Sequence, residues 1–169
     1  MQSFGRVICA IALATTLAGC ANYHIGSAIP KEMRTIAVPT FENASGHPFV
    51  EAITTEAVLS EIRRDGTLRI VDRENAALEL TGRITGCKLE AMQYDHNQPY
   101  LAVAYRLTIT ADLKLYERAT GKVVAHLGNV TGDDIFRTES DLPSTERDAI
   151  PRAAARLAKA IVVNTVKAW

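Results

Sequence analysis

The side chains able to do chemistry are few in this sequence, and their spacing is uninformative for catalysis. The cysteines are Cys9, Cys20 and Cys87, and the histidines are His24, His47, His96 and His126. No two histidines have the i, i+4 spacing of a metal-binding helix, and no Gly-x-Ser-x-Gly elbow or phosphate-cradling Gly-rich loop is present. Asp133-Asp134 is a carboxylate pair, but neighbours on a strand point to opposite faces, so the two cannot act together there. The chain carries 19 basic and 19 acidic residues, a balance that argues against a broad nucleic-acid-binding surface. A periplasmic enzyme is therefore the least supported class, and no cofactor or metal is expected.

Cys20 is different, because its context is informative. Arg6 is the only charge in the first thirty residues, and an apolar run follows it from Val7 to Leu17. A charged start, a short apolar segment and small residues form a secretory signal. The run is shorter than the roughly 20 residues that cross a bilayer. Leu17-Ala18-Gly19-Cys20 is similar to the lipobox of bacterial lipoproteins. That motif implies cleavage before Cys20, a diacylglycerol on its sulfur and an acylated amine. Ala21 stands where an Asp would favour inner-membrane retention, so outer-membrane sorting is implied, with the domain facing the periplasm. Residues 1–19 are thus expected to be a signal peptide, 20–33 a lipidated tether and 34–169 one folded domain. Cys9 would leave with the signal and Cys20 be blocked, which leaves Cys87 alone and forbids an internal disulfide.

The elements of that domain can be read from periodicity. Residues 34–41 are β-rich, and Pro39 places them at a ladder end or edge. Residues 42–48 have loop composition. Residues 49–64 lack Pro and Gly and stop at Asp65-Gly66, the pattern of a helix, although the apolar stripe is untidy. Residues 68–71 are a strand by type. From Leu101 to Leu115 every odd position is apolar, the mark of a long strand with one face buried and one wet. Residues 78–94 form a second strand whose register needs a bulge near Gly86, because Leu80 and Ile84 fall on one face and Cys87 and Leu89 on the other. Residues 95–99 are a polar hairpin tip. Residues 122–136 form another strand, broken by Gly128 and Gly132. Ile150, Ala154, Leu157, Ile161 and Thr165 make a helical stripe, capped by Ser144 or Asp148, and Pro151 puts the regular helix start near Ala149. The expected fold is α+β, a two-layer sandwich of two helices on a mainly antiparallel sheet of four to five strands.

These pieces, in this order behind a lipobox, resemble the LptE/RlpB family of lipopolysaccharide-assembly lipoproteins along nearly the whole mature length. The resemblance is carried by Cys20-Ala-Asn-Tyr-His-Ile-Gly26 with Ile29-Pro30, by Thr35-Ile-Ala-Val-Pro-Thr-Phe-Glu-Asn43 and by Asp65-Gly-Thr-Leu-Arg-Ile-Val71. Further along it is carried by Tyr105-Arg-Leu-Thr-Ile-Thr-Ala111 with Thr120-Gly-Lys122, then Leu157-Ala158, Ile161-Val162 and Trp169. It implies an outer-membrane lipoprotein, held in outer-membrane lipid through Cys20. Such a protein plugs the β-barrel LptD and helps insert lipopolysaccharide, by binding rather than catalysis. Family members are credited with basic residues near the hairpin tip that meet lipopolysaccharide phosphates. Here residues 94–100 hold no Lys or Arg, only His96, and the nearest candidates are Lys88, Arg106 and Lys114. The bland alternative is that these cations, alternating with Thr, are a solvated sheet face. The opening strand also resembles secretion-channel and transporter-auxiliary lipoproteins of the CsgG and FlgO type, whose partners are oligomeric channels or transporters.

Overall fold

A computed structural model of the chain describes residues 29–138 and 141–169; the proposed signal peptide, Cys20 and residues 21–28 lie outside the described residues. Among the described residues, six strands and two α-helices follow in order: β1 (Thr35–Ala37), β2 (Glu42–Asn43), α1 (Val50–Asp65), β3 (Arg69–Ile70), β4 (Leu78–Tyr94), β5 (Ala102–Glu117), β6 (Lys122–Arg137) and α2 (Leu142–Lys167). The sheet order is β3-β1-β4-β5-β6, with β2 added to the outer side of β4. Both helices share one apolar core with one face of this sheet. The α+β sandwich is therefore present, with a sixth strand beyond the expected four to five. The extra strand is β2, where two residues of the segment read as loop run parallel to Arg83 and Ile84 of β4. The short strands β1, β2 and β3 pair in parallel, so the sheet is mixed, while the three long strands form an antiparallel meander.

The alternation read in the sequence sets the layers. On β5, Leu107, Ile109, Ala111, Leu113 and Leu115 are buried under the helices, and the even positions from Arg106 to Tyr116 face the uncovered side. On β4 the core positions are Leu78, Leu80 and Ile84, then Cys87 and Leu89. The expected bulge makes the switch: Ile84 pairs with Ala111 and Gly86 with Thr110, so Thr85 is the extra residue. Gly128 does not break β6. It sits at φ +65° beside a second register shift, where Leu113 pairs with Gly128 and Lys114 with His126. Gly132 has another task. A Cβ there would stand 2.5 Å from the Ala153 carbonyl oxygen, so only glycine lets α2 lie this close to β6.

The helices are also explained by their residues. The buried positions of α1 are Val50, Thr54, Thr55, Val58 and Ile62, a proper i, i+4 stripe in which two threonines take core sites. That substitution of Thr for apolar residues is why the stripe is hard to see in the sequence. The Thr55 hydroxyl donates to the Glu51 carbonyl and accepts from the Phe41 backbone N–H, tying β1's exit to the helix. Gly66 closes α1 in the left-handed region, its N–H bonded to the Ile62 carbonyl. Helix α2 starts seven residues before the expected Ala149. Asp141, not Ser144 or Asp148, is the cap, its carboxylate accepting from the Ser144 backbone N–H. Pro151 sits inside the helix on its exposed side, where water can take over the carbonyl its missing N–H leaves free. Packing at the other end begins before Arg34. Ile29 is buried in the core and its carbonyl accepts from Arg34 Nε, and Trp169 packs against the same core.

Candidate functional site

The face of the sheet that no helix covers is where the sequence-predicted ligand residues fall. Lys88, Arg106 and Lys114 all lie on it, because Lys88 pairs with Thr108 and Lys114 with Thr81, positions of the wet register. The structure does not bring all three together. Lys88 and Arg106 are diagonal neighbours on adjacent strands, about 7–8 Å apart at Cα for such a pair. Lys114 lies eight residues further along β5, about 27 Å away at strand rise. It lines a separate cleft of about 300 Å³ with Glu42, Arg83 and Asp112.

Arg106, Arg83 and His126 on this face each have a carboxylate close by. Arg106 Nε stands 3.6 Å from Asp133 Oδ2 on β6, outside hydrogen-bond range, and Glu90 is directly opposite Arg106 on β4. At the other end His126 Nε2 is 2.7 Å from Asp112 Oδ1, and Arg83 is 4.0 Å from Glu42. Exposed pairs of this kind contribute little to stability, with a median of about 0–1 kcal/mol. Their effect is on the surface potential, which is left close to neutral along a Thr-lined face.

Two buried carboxylates and the Cys87 thiol are occupied in packing. Asp133 and Asp134 point to opposite faces, as neighbours on a strand must. Asp134 is buried on the helix side, where Arg152 Nε at 2.7 Å and Arg156 at 3.0 Å clamp it to α2. Glu79 is buried between Arg73 at 2.9 Å and Arg118 at 3.0 Å, joining the β3–β4 connection to the β5–β6 turn. Sequence reasoning missed both clamps. Arg152 and Arg156, one helical turn apart and facing an isolated Asp pair, were the available signal for the first. Cys87 is half-buried on the core side, and its thiol is pushed up to about 11 by burial and then by the nearby Glu146 carboxylate. A thiol held protonated is a poor nucleophile. No group of three His, Cys, Asp or Glu side chains among the described residues could hold a metal ion.

The third feature is the far end of the β4–β5 hairpin. From Glu90 to Tyr94 every residue of β4 is exposed, and the stacked pair Tyr105–Phe136, 6.0 Å between centroids, ends the aromatic packing on this side. The turn is organised by Asp95, whose carboxylate accepts from the Asn97 and Gln98 backbone N–H groups at 2.7 and 2.9 Å. Beyond the body stand Met92, Tyr94, Tyr100 and Leu101, all exposed.

Comparison with known proteins agrees with this architecture. Solved structures with the same fold include a chain described as a lipoprotein from Caulobacter crescentus (16% identity, covering 76% of this chain and 88% of that one, TM-score 0.53). A minor lipoprotein from Acinetobacter baumannii (10% identity, 80% and 94%, TM-score 0.53) is similar in the same way. A Xanthomonas campestris protein (14% identity, 83% and 90%, TM-score 0.53) also shares the fold. At these identities the likeness is one of fold alone. No curated protein matches the chain. The family model for lipopolysaccharide assembly, LptE, matches residues 33–164, from the turn before β1 to the last turns of α2, and the chain therefore belongs to the LptE family.

Proposed function

We propose that this protein is an outer-membrane lipoprotein, lipidated on Cys20 and facing the periplasm, that partners and plugs an LptD-type β-barrel in lipopolysaccharide assembly. The family match over residues 33–164, most of the folded domain, carries this reading. The surface is consistent with it. A long uncovered sheet face, lined by Thr and by charges of both signs, suits the polar, hydrated interior of a wide barrel better than it suits lipid. The part is played by shape and binding, since Asp134, Glu79 and Cys87 are all engaged in packing.

Lipopolysaccharide contact, within this reading, falls to Lys88 and Arg106, whose cations are adjacent, with the Arg106 guanidinium offering a planar fork to phosphate. Lys114 is too distant to join them and would serve only a second contact. Depletion of the protein tests the whole proposal, with surface lipopolysaccharide and the assembly state of the barrel as readouts. Both should fall; normal surface lipopolysaccharide after depletion contradicts it. Lipopolysaccharide binding by Lys88→Ala and Arg106→Ala tests the contact residues, and unchanged binding removes them from the proposal.

A further inference from the structure

We infer that the free edge of β4 from Cys87 to Ala91 is a strand-addition site, where an extended segment of the barrel partner's chain pairs with this backbone and continues the sheet. The inference rests on the barrel partnership proposed above and says how one part of that contact is made.

The first observation is in the backbone. On one side β4 is paired with β5 along nearly its whole length, but on the other it meets only β1, at Leu78 and Glu79, and β2, at Arg83 and Ile84. The chain of β2 then leaves the edge. The Ala44 N–H donates to the Ile84 carbonyl, the Asn43 carboxamide accepts from the Ser45 N–H and donates to the His47 carbonyl, and Gly46 turns the chain at φ +78°. Along an antiparallel pair, successive residues aim their N–H and C=O groups to alternate sides. The Arg118 N–H donates to the Ala77 carbonyl, so even-numbered residues of β5 are the ones bonded to β4. Thr110, Thr108 and Arg106 stand opposite Gly86, Lys88 and Glu90. Cys87, Leu89 and Ala91 therefore turn their backbone groups outward, and among the described residues no strand receives them.

The second observation is that the other edges are guarded and this one is not. A long open edge is a template for a further strand, and proteins ordinarily blunt it. On β6 the outward carbonyl of Asp133 is taken by Arg156 Nη1 at 2.6 Å, and the register shift beside Gly128 interrupts the edge. Strand β3 is two residues long. On β4 the bulges fall to either side, at Thr85 and Met92, and the residues between pair regularly with β5. Their charged side chains, Lys88 and Glu90, stand on the wet face, out of the plane in which a strand adds.

The third observation selects the occupant. Outward N–H and C=O groups at strand spacing are matched by an extended polypeptide and not by an acyl chain. Helix α2 packs over β6 and β5, which leaves Cys87 and Leu89 only partly buried and Ala91 exposed. The added strand thus carries apolar residues toward the helix layer and polar ones toward the wet face. Five residues of ladder, about 14 Å, fall far short of the roughly 1,200–2,000 Å² that a stable specific interface buries. This edge alone therefore does not hold a second copy. It is enough for a partner that already encloses the molecule, because the first contact raises the local concentration of the second. The wall strands of a closed barrel are paired on both sides, so the segment comes from outside the wall. Addition in the sheet plane leaves the face of Lys88 and Arg106 open to lipopolysaccharide.

Hydrogen exchange read by mass spectrometry at single residues tests this, on the full acylated lipoprotein alone and in its one-to-one barrel complex, in the same detergent. The amides of Cys87, Leu89 and Ala91 should exchange roughly tenfold or more slowly in the complex, while those of Gly86, Lys88 and Glu90 are slow in both. Leu89→Pro removes an outward donor and no bond to β5, a substitution an edge strand tolerates. The variant should keep its melting temperature, and in its complex the protection of Cys87 and Ala91 should be lost. A complex in which the three amides still exchange fast overturns the inference and leaves the barrel partnership standing, as does full protection in a folded Leu89→Pro complex. Failure to recover any complex overturns both. Protection that appears in the lipoprotein alone as its concentration rises assigns the edge to a second copy and overturns the inference.

Discussion

At the scale of single residues, the molecule is held by side chains whose roles depend on their absence of bulk or charge freedom. Gly132 is the clearest. Glycine in a strand ordinarily weakens it, and replacement by Ala elsewhere would help by about 0.5–1 kcal/mol. Here the added Cβ meets the Ala153 carbonyl and the Leu157 backbone. Gly132→Ala should therefore destabilise by about 1–3 kcal/mol, the usual cost of overpacking, measured by urea unfolding. A gain in stability would show that α2 does not rest on β6 at this point. Cys87 makes a second prediction. Its thiol ionises near 11 in the folded protein against 9.0 unperturbed, because burial and Glu146 disfavour the thiolate. The unfolded chain then releases its proton first as pH rises. Stability from this group is fully present below pH 9 and is lost between 9 and about 11. Cys87→Ala should flatten the decline of stability in that window, and the native thiol should react slowly with disulfide reagents at pH 8. Fast labelling of the folded protein at pH 8 would contradict the assignment.

At the scale of elements, most of the fold is legible in the sequence, and the exceptions have physical causes. The odd-position alternation gives the buried face of β5 from Leu107 to Leu115 but not nearer the hairpin, where Leu101 is exposed and Ala104 buried, and the clash of parity between Ile84 and Cys87 locates the β4 bulge. The C-terminal stripe Ile150, Ala154, Leu157, Ile161 and Thr165 is buried throughout. What pattern cannot supply is pairing at a distance. Strand β2 is two residues long and exists only because β4 lies beside it, so Glu42-Asn43 reads as loop. The start of α2 is hidden because Pro151 is a strong local stop, overridden here by its exposed position and by the Asp141 cap. This gives a prediction. Pro151→Ala restores a backbone hydrogen bond to the Arg147 carbonyl and should raise stability by about 1–3 kcal/mol, seen as a higher melting temperature. A lower melting temperature would mean that the proline shapes the bend of α2 against the sheet. The candidate site was half legible. Sequence placed Lys88, Arg106 and Lys114 on a wet face, but only the register of β4 against β5 separates Lys114 from the other two.

At the scale of the whole molecule, the parts fit the binding role proposed above. One face of the sheet makes the core, the other is bare and nearly neutral, and the two ends of the sheet differ. At one end β1 pairs with the first residues of β4, and the other end carries the exposed apolar hairpin residues Met92, Tyr94, Tyr100 and Leu101. The proposed anchor residue, Cys20, lies outside the described residues, and the core of the described residues runs from Ile29 to Val162 without it. Cys20→Ser should thus release the protein from the outer membrane while leaving its melting temperature unchanged, checked by fractionation and thermal unfolding. The central claim is partnership with a barrel, and detergent extraction of the native lipoprotein from outer membranes tests it most directly. Native mass measurement of the purified material should find a one-to-one complex with a large outer-membrane β-barrel. A homo-oligomeric ring, or the protein alone, would contradict it.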